Sequence, residues 1–190
     1  MSTITIIGTG TMATAIGGVL ADGGASVQYV SHGEDATVQG EIVILAVPYP
    51  AVDDVLGRYG AQLDGRVVVD ITNPLNFETF DSLVVPSDSS AAAGIAARLP
   101  GAKVLKAFNT TFAATLGAKT LGGLPTTVLV AGDDADAKSA LVAAVTAGGV
   151  QAIDAGSLAR ARELEALGFL QLTLAVGEKV AWTGGFAVAR

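Results

Sequence analysis

The stretch Ile4-Thr5-Ile6-Ile7-Gly8-Thr9-Gly10-Thr11-Met12-Ala13 constrains this chain more than any other. An apolar run of strand length ends at Gly8, and beyond Gly10 a run of small and apolar residues continues at helix length. The spacing is G-x-G-x-x-A. Gly8 permits the tight turn, Gly10 keeps a side chain out of the path of an approaching phosphate, and Ala13 lets the helix pack close on the strand. A glycine turn that leads straight into a helix points the first helical amides at an anion, so a dinucleotide pyrophosphate is the expected ligand. The pattern alone is weak in a chain of 190 residues with 24 glycines, and it gains force only from the order of the segments beyond it.

Those segments alternate regularly. Strand-length apolar stretches recur at 25–30, 41–47, 66–70, 102–108, 126–131 and 150–154. Helices are predicted after Pro48-Tyr49-Pro50, after the capping run Ser87-Asp88-Ser89-Ser90, over 133–147, and from Ser157 to about Val180. The predicted architecture is α/β: a doubly wound, mostly parallel Rossmann-type sheet in one domain over 1–190, with a long C-terminal helix. One crossover is irregular. The stretch 31–40 is too short and polar for the helix expected between parallel strands, so that helix is predicted to be missing or reduced to a turn.

Composition narrows the partners. Hydrophobic residues make up 51% and charged residues 15%, more apolar than an average domain, and the predicted last helix is apolar on most sides from Leu167 to Val176. A homodimer with 157–190 at the subunit interface is the expectation, packing of that helix on its own sheet the alternative. No apolar run reaches the roughly 18–20 residues that span a bilayer, and no basic segment precedes an apolar core near Met1, so no membrane association and a cytoplasmic location are expected. A net charge of -7 argues against nucleic acid and points to a small-molecule substrate. With no cysteine and one histidine, no metal site is expected.

Four further segments join the glycine turn in chain order: Leu45-Ala46-Val47-Pro48-Tyr49, Asp70-Ile71-Thr72-Asn73-Pro74, Lys106-Ala107-Phe108-Asn109-Thr110 and the run from Asp154 to Arg162. Together they make the chain resemble the coenzyme F420-dependent NADP oxidoreductases over nearly its whole length. The resemblance implies that Gly8, Thr9, Gly10, Thr11 and Met12 hold the pyrophosphate, that Val47, Pro48, Asn73 and Pro74 line the cofactor, and that the backbone at Ala107 and Phe108 lies near the nicotinamide. The family's serine-arginine pair for the 2'-phosphate falls here on Ser31 and His32, a departure at the second position.

An NAD site would place Asp or Glu at the end of the second strand to bind the ribose diol. Val30-Ser31-His32 stands there instead, which favours NADP; against it, no Lys or Arg precedes Arg58, and Glu34 and Asp35 follow closely. The implied reaction is hydride transfer between NADPH and a flavin-like or deazaflavin acceptor, which needs two rings face to face and little help from side chains. No catalytic residue is assigned. Asp70 is read as pinning the loop after its strand, Lys106 as a solvated strand end, Asn109 to Thr111 as binding substrate or capping a helix that begins at Phe112, and Glu165 as a partner of Arg162 on the helix surface or at a subunit contact. Two other readings stay open: a nucleotide-binding sensor without turnover, and a small carbonyl or imine reductase using Lys106 or Asp70.

Overall fold

A computed structural model describes residues 3–31 and 33–189. The chain builds β1 (Thr3–Ile7), α1 (Thr11–Asp22), β2 (Ser26–Val30), β3 (Ile42–Leu45), α2 (Val52–Tyr59), β4 (Val67–Asp70), α3 (Ala91–Arg98), β5 (Lys103–Lys106), α4 (Ala113–Ala118), β6 (Thr127–Gly132), α5 (Ala135–Ala147), β7 (Gln151–Gly156) and α6 (Ala161–Val176). A two-residue hairpin, Thr120–Leu121 with Leu124–Pro125, joins α4 to β6. The seven strands form one sheet in the order β2-β1-β3-β4-β5-β6-β7. Every pairing is parallel except β5 with β6, where Leu105 faces Gly132 and Lys106 faces Ala131.

Both faces of the sheet are covered, which is why its strands read as continuous apolar runs rather than alternating ones. Side chains of successive strand residues still part company: Ile42, Ile44, Val69 and Leu105 join α1 and α5 in one core, while Val43, Leu45, Val68 and Val104 join α2 and α3 in the other. Caps fix two of the helices, α3 as the sequence predicts and α5 at a residue inside the bounds predicted for its helix. Ser90 Oγ accepts from the amide of Ala93 at 3.0 Å and Asp134 Oδ1 from that of Ala137 at 2.8 Å.

Among the described residues of 31–41 there is no helix. The segment runs instead as an extended strap whose backbone is held by side chains from the sheet and from the turn beyond α2. Gln28 Nε2 donates to the carbonyl of Thr37 (2.9 Å), the amide of Val38 donates to Gln62 Oε1 (2.9 Å), and Arg66 donates to the carbonyls of Val38 (3.1 Å) and Gly40. Val38 fills the core space that a crossover helix would have covered.

The C-terminal helix departs from expectation at both ends. A turn of 3-10 helix over Leu158–Arg160 leads into α6, which stops at Val176. Its buried residues, Ala161, Leu164, Glu165, Gly168, Gln171 and Ala175, make one stripe at helical spacing, whereas Leu170 and Val176 are exposed. The stripe lies on this chain's own α3 and reaches the carboxyl end of β5 through Glu165.

Candidate cofactor site

The sheet's strand order reverses between β1 and β3, and crevices outside the carboxyl ends of strands at such a point are where α/β sheets take ligands. The glycine turn sits there. Gly8 has φ +125, and a Cβ on it would overlap the carbonyl oxygen of Ala46 at the end of β3. Its own amide donates to the carbonyl of Val30 (2.8 Å), tying the turn to β2. Gly10 is the residue before the first helical turn; no side chain caps α1, no acidic residue stands in its first turn, and the space where a Gly10 Cβ would project is open. The geometry is of the kind that favours an anion: a 12-residue helix with its positive end uncapped and an unobstructed approach. The close helix-strand contact is made at Gly17 as well as Ala13, since a Cβ on Gly17 would overlap the Tyr29 hydroxyl.

From Gly10 a cleft of about 330 Å³ runs across the sheet edge. Gly10 to Ala13 form one wall, Ala46 to Tyr49 the floor after β3, Ile71 to Asn73 the end of β4, and Phe77 and Leu172 the far rim. A second hollow of about 580 Å³ opens on the other side of the turn between Thr9, Thr11 and Thr14 and the start of α4. Phe77 stands half exposed on a loop that folds back on itself, with Val84 donating to the carbonyl of Pro74 (2.8 Å) and Phe80 to that of Asn76 (2.8 Å).

Behind the cleft lies a charged group that the sequence concealed. Lys106 is wholly buried, as is Asp70, and Glu165 is 1% exposed. Lys106 Nζ is 2.8 Å from Asp70 Oδ2 and 2.9 Å from Glu165 Oε1, and it donates also to the carbonyl of Thr72. Glu165 in turn accepts from the amides of Ala91 (2.9 Å) and Ala92 (3.3 Å), so one carboxylate both pairs with Lys106 and caps α3. Burial pushes the Glu165 carboxyl above its ordinary pKa, against the pull of Lys106 and the Ala91 amide. The same carboxylates bear on Tyr49, whose phenol is raised by burial first and then by Asp53, Glu165 and Asp70.

This arrangement corrects three expectations. Lys106 is not solvated. Glu165 pairs with Lys106 rather than with Arg162, while Arg160 lies 3.4 Å from Glu163 on the surface. Asp70 does pin its loop, accepting from the Thr72 amide at 2.8 Å, and it also holds the buried lysine. Asn109 to Thr111 do not cap α4, whose first turn has no side-chain cap. Asn109 Nδ2 donates to Asn73 Oδ1 (3.0 Å) and to the carbonyl of Leu164 (2.8 Å), and Asn73 Nδ2 returns a bond to the carbonyl of Asn109 (3.1 Å).

Of the residues singled out from the sequence, Gly10, Thr11, Met12, Val47, Pro48 and Asn73 line the cleft, and Thr9 the adjoining hollow. Gly8 shapes the turn from behind, and Pro74 supports the Phe77 loop through its carbonyl. Ala107 and Phe108 are fully buried in the core, Phe108 with φ +63, and neither lines the cleft. Ser31 is exposed at the end of β2; His32 lies outside the described residues. Tyr49, Thr72, Phe77 and Leu172 line the cleft without having been singled out. Thr72 Oγ1 and Asn109 Oδ1 are buried with no hydrogen-bond partner among the described residues, a cost of about 1–3 kcal/mol each unless something else satisfies them.

Known proteins are similar to this chain in sequence and in fold. The family described as NADP oxidoreductase coenzyme F420-dependent matches residues 24–74. The F420-dependent NADP reductase of Methanocaldococcus jannaschii is 33% identical over 156 residues, which cover 80% of this chain and 69% of that protein. The enzyme of the same name from Methanothermobacter marburgensis is 33% identical over 152 residues, 77% of this chain and 67% of that one. In structure, a putative F420-dependent NADP-reductase from an Arthrobacter species superposes with a TM-score of 0.86 at 26% identity over the full length of both chains. With the glycine turn, the switch-point cleft and these relatives in agreement, the chain belongs to the family of F420-dependent NADP reductases.

Proposed function

We propose that the protein passes hydride between NADPH and a deazaflavin or flavin-like acceptor, both held in the cleft at the carboxyl ends of β1, β3 and β4. The observation that carries this reading is the cleft's chemistry: among its described lining residues Tyr49 is the one titratable side chain, in a family of NADP oxidoreductases. The nicotinamide supplies the hydride, and the acceptor ring takes it. The chain's residues bind and orient. The first turn of α1 receives the pyrophosphate, Val47 and Pro48 bound the path of the cofactor, and the unpartnered Thr72 hydroxyl offers a hydrogen bond at the nicotinamide end. Phe77 and Leu172 supply apolar surface on the rim, where a planar acceptor can lie and displace water. Tyr49, its pKa raised, stays a neutral phenol and a hydrogen-bond donor in the working range.

A carbonyl or imine reductase using Lys106 or Asp70 is not favoured, because both side chains are buried and committed to each other and to Glu165 or Thr72. A sensor without turnover is not favoured by the relatives, which are named as reductases. The test is to mix the protein with NADPH and F420, then with NADPH and flavin mononucleotide, and follow nicotinamide absorbance under anaerobic conditions. Loss of that band with either acceptor supports the proposal; tight NADPH binding with no loss against both overturns it. The expected homodimer belongs to the same reading: Leu170 and Val176 on α6 and Trp182 and Phe186 beyond it are half exposed, and light scattering should give twice the chain mass.

A further inference from the structure

The adenosine end of the site holds an arrangement that the sequence alone does not show. In a sheet of this kind the ribose next to adenine reaches the carboxyl end of β2, so the residues after Val30 meet its 2' substituent. There, Glu34 folds back and its Oε2 accepts from the amide of Ser31 at 3.0 Å. Arg58, from the last turn of α2, comes to the same loop: its Nη1 donates to the carbonyl of Gly33 (3.2 Å) and lies 3.3 Å from Asp35 Oδ1. Tyr59 fastens the loop to α2 by donating to the carbonyl of Glu34. The pair Arg58–Asp35 is open to water, with the Asp35 side chain 96% exposed, so it is weak and easily exchanged for a better anion.

We propose that Glu34 and Arg58 set which 2' substituent the site accepts. Resting on the reading of the cleft as a dinucleotide site, the proposal gives the 2'-phosphate its guanidinium from a residue on another element. Arg58 leaves Asp35 and takes the phosphate, which can also accept from Ser31. To admit that phosphate, Glu34 must release the Ser31 amide, because two anions cannot share one donor at hydrogen-bond distance. With an unphosphorylated ribose Glu34 stays, and its other oxygen accepts from the 2'-hydroxyl as the strand-end carboxylate of an NAD site does. The loop therefore selects NADPH through Arg58 and opposes it through Glu34.

The experiment is a titration of the wild type, Arg58→Met and Glu34→Gln with NADPH, NADH, adenosine 2',5'-bisphosphate and AMP. The last two carry the adenosine end alone, so the outcome stands apart from whether hydride is transferred to any acceptor. Arg58→Met is expected to weaken NADPH and the bisphosphate by about tenfold, the loss of one charge-assisted contact, with NADH and AMP within about twofold. Glu34→Gln is expected to tighten NADPH and the bisphosphate several-fold and to weaken NADH. An unchanged ratio of NADPH to NADH affinity in both variants overturns the proposal, as does a parallel loss for all four ligands. Both side chains lie at the surface, and matched thermal melts identify a variant that has merely lost its fold.

Discussion

Two glycines two residues apart in the first turn have different work. At Gly8 the backbone is in the left-handed half of conformational space and a Cβ would strike the Ala46 carbonyl; at Gly10 φ is -75 and nothing stands within reach. Gly8→Ala should therefore lower stability by about 1–3 kcal/mol or more, whereas Gly10→Ala should melt within about 0.5 kcal/mol of the wild type and lose NADPH affinity by on the order of tenfold. Thermal melts beside an NADPH titration check both. The buried charges make a second pair of predictions. Lys106→Met would leave Asp70 and Glu165 buried without their cation, at a cost of about 3–5 kcal/mol, read as a lower urea midpoint. Glu165 has its folded pKa raised, so the stability it contributes is fully present below its unfolded value, about 4.3, and is lost as pH rises through the folded value. Glu165→Gln removes that loss while keeping an acceptor for Ala91. Its urea midpoint relative to wild type should rise as pH goes from about 4 to 7; a difference independent of pH would contradict the assignment.

At the scale of elements, α6 supports the site from behind through Gly168 and Glu165 and lines its rim through Leu172. Gly168 faces Asn73 and Asn109 so closely that a Cβ would overlap Asn73 Oδ1, and four residues on, Leu172 reaches the cleft rim. Gly168→Ala should cost about 1–3 kcal/mol and weaken NADPH binding by shifting Leu172 and Asn73, which a melt and a titration on one sample would show. Much of this level was legible in the sequence. The glycine turn, the strands and the shortened second crossover follow from local pattern. The seat of α6 was not, because its evidence is long-range: Asp70 and Lys106 each end a strand, and only the parallel register that pairs them shows that they meet. A sign was nevertheless present, since Glu165 falls on the same helical stripe as Ala161, Leu164 and Gly168, where a charge needs a buried partner. Arg58 escaped for the same reason, as α2 must first dock on the loop after β2.

Over the whole molecule, the sheet separates two tasks. Its two apolar cores and the buried Lys106 group underlie the carboxyl edge, and the turn, the strap and the Phe77 loop add exposed surface to that edge for ligands. Among the described residues Tyr49 is the lone titratable lining side chain, so the proposed reaction assigns the chemistry to two rings in contact rather than to protein acids and bases. Label transfer puts direct ring-to-ring passage to the test. With NADPH deuterated at nicotinamide C4 and F420 as acceptor, the hydride lands on a carbon of the deazaflavin, where it does not exchange with water. Direct transfer predicts deuterium in the reduced deazaflavin by mass spectrometry; reduced deazaflavin without deuterium from either C4 position, or no reduction at all, would contradict it.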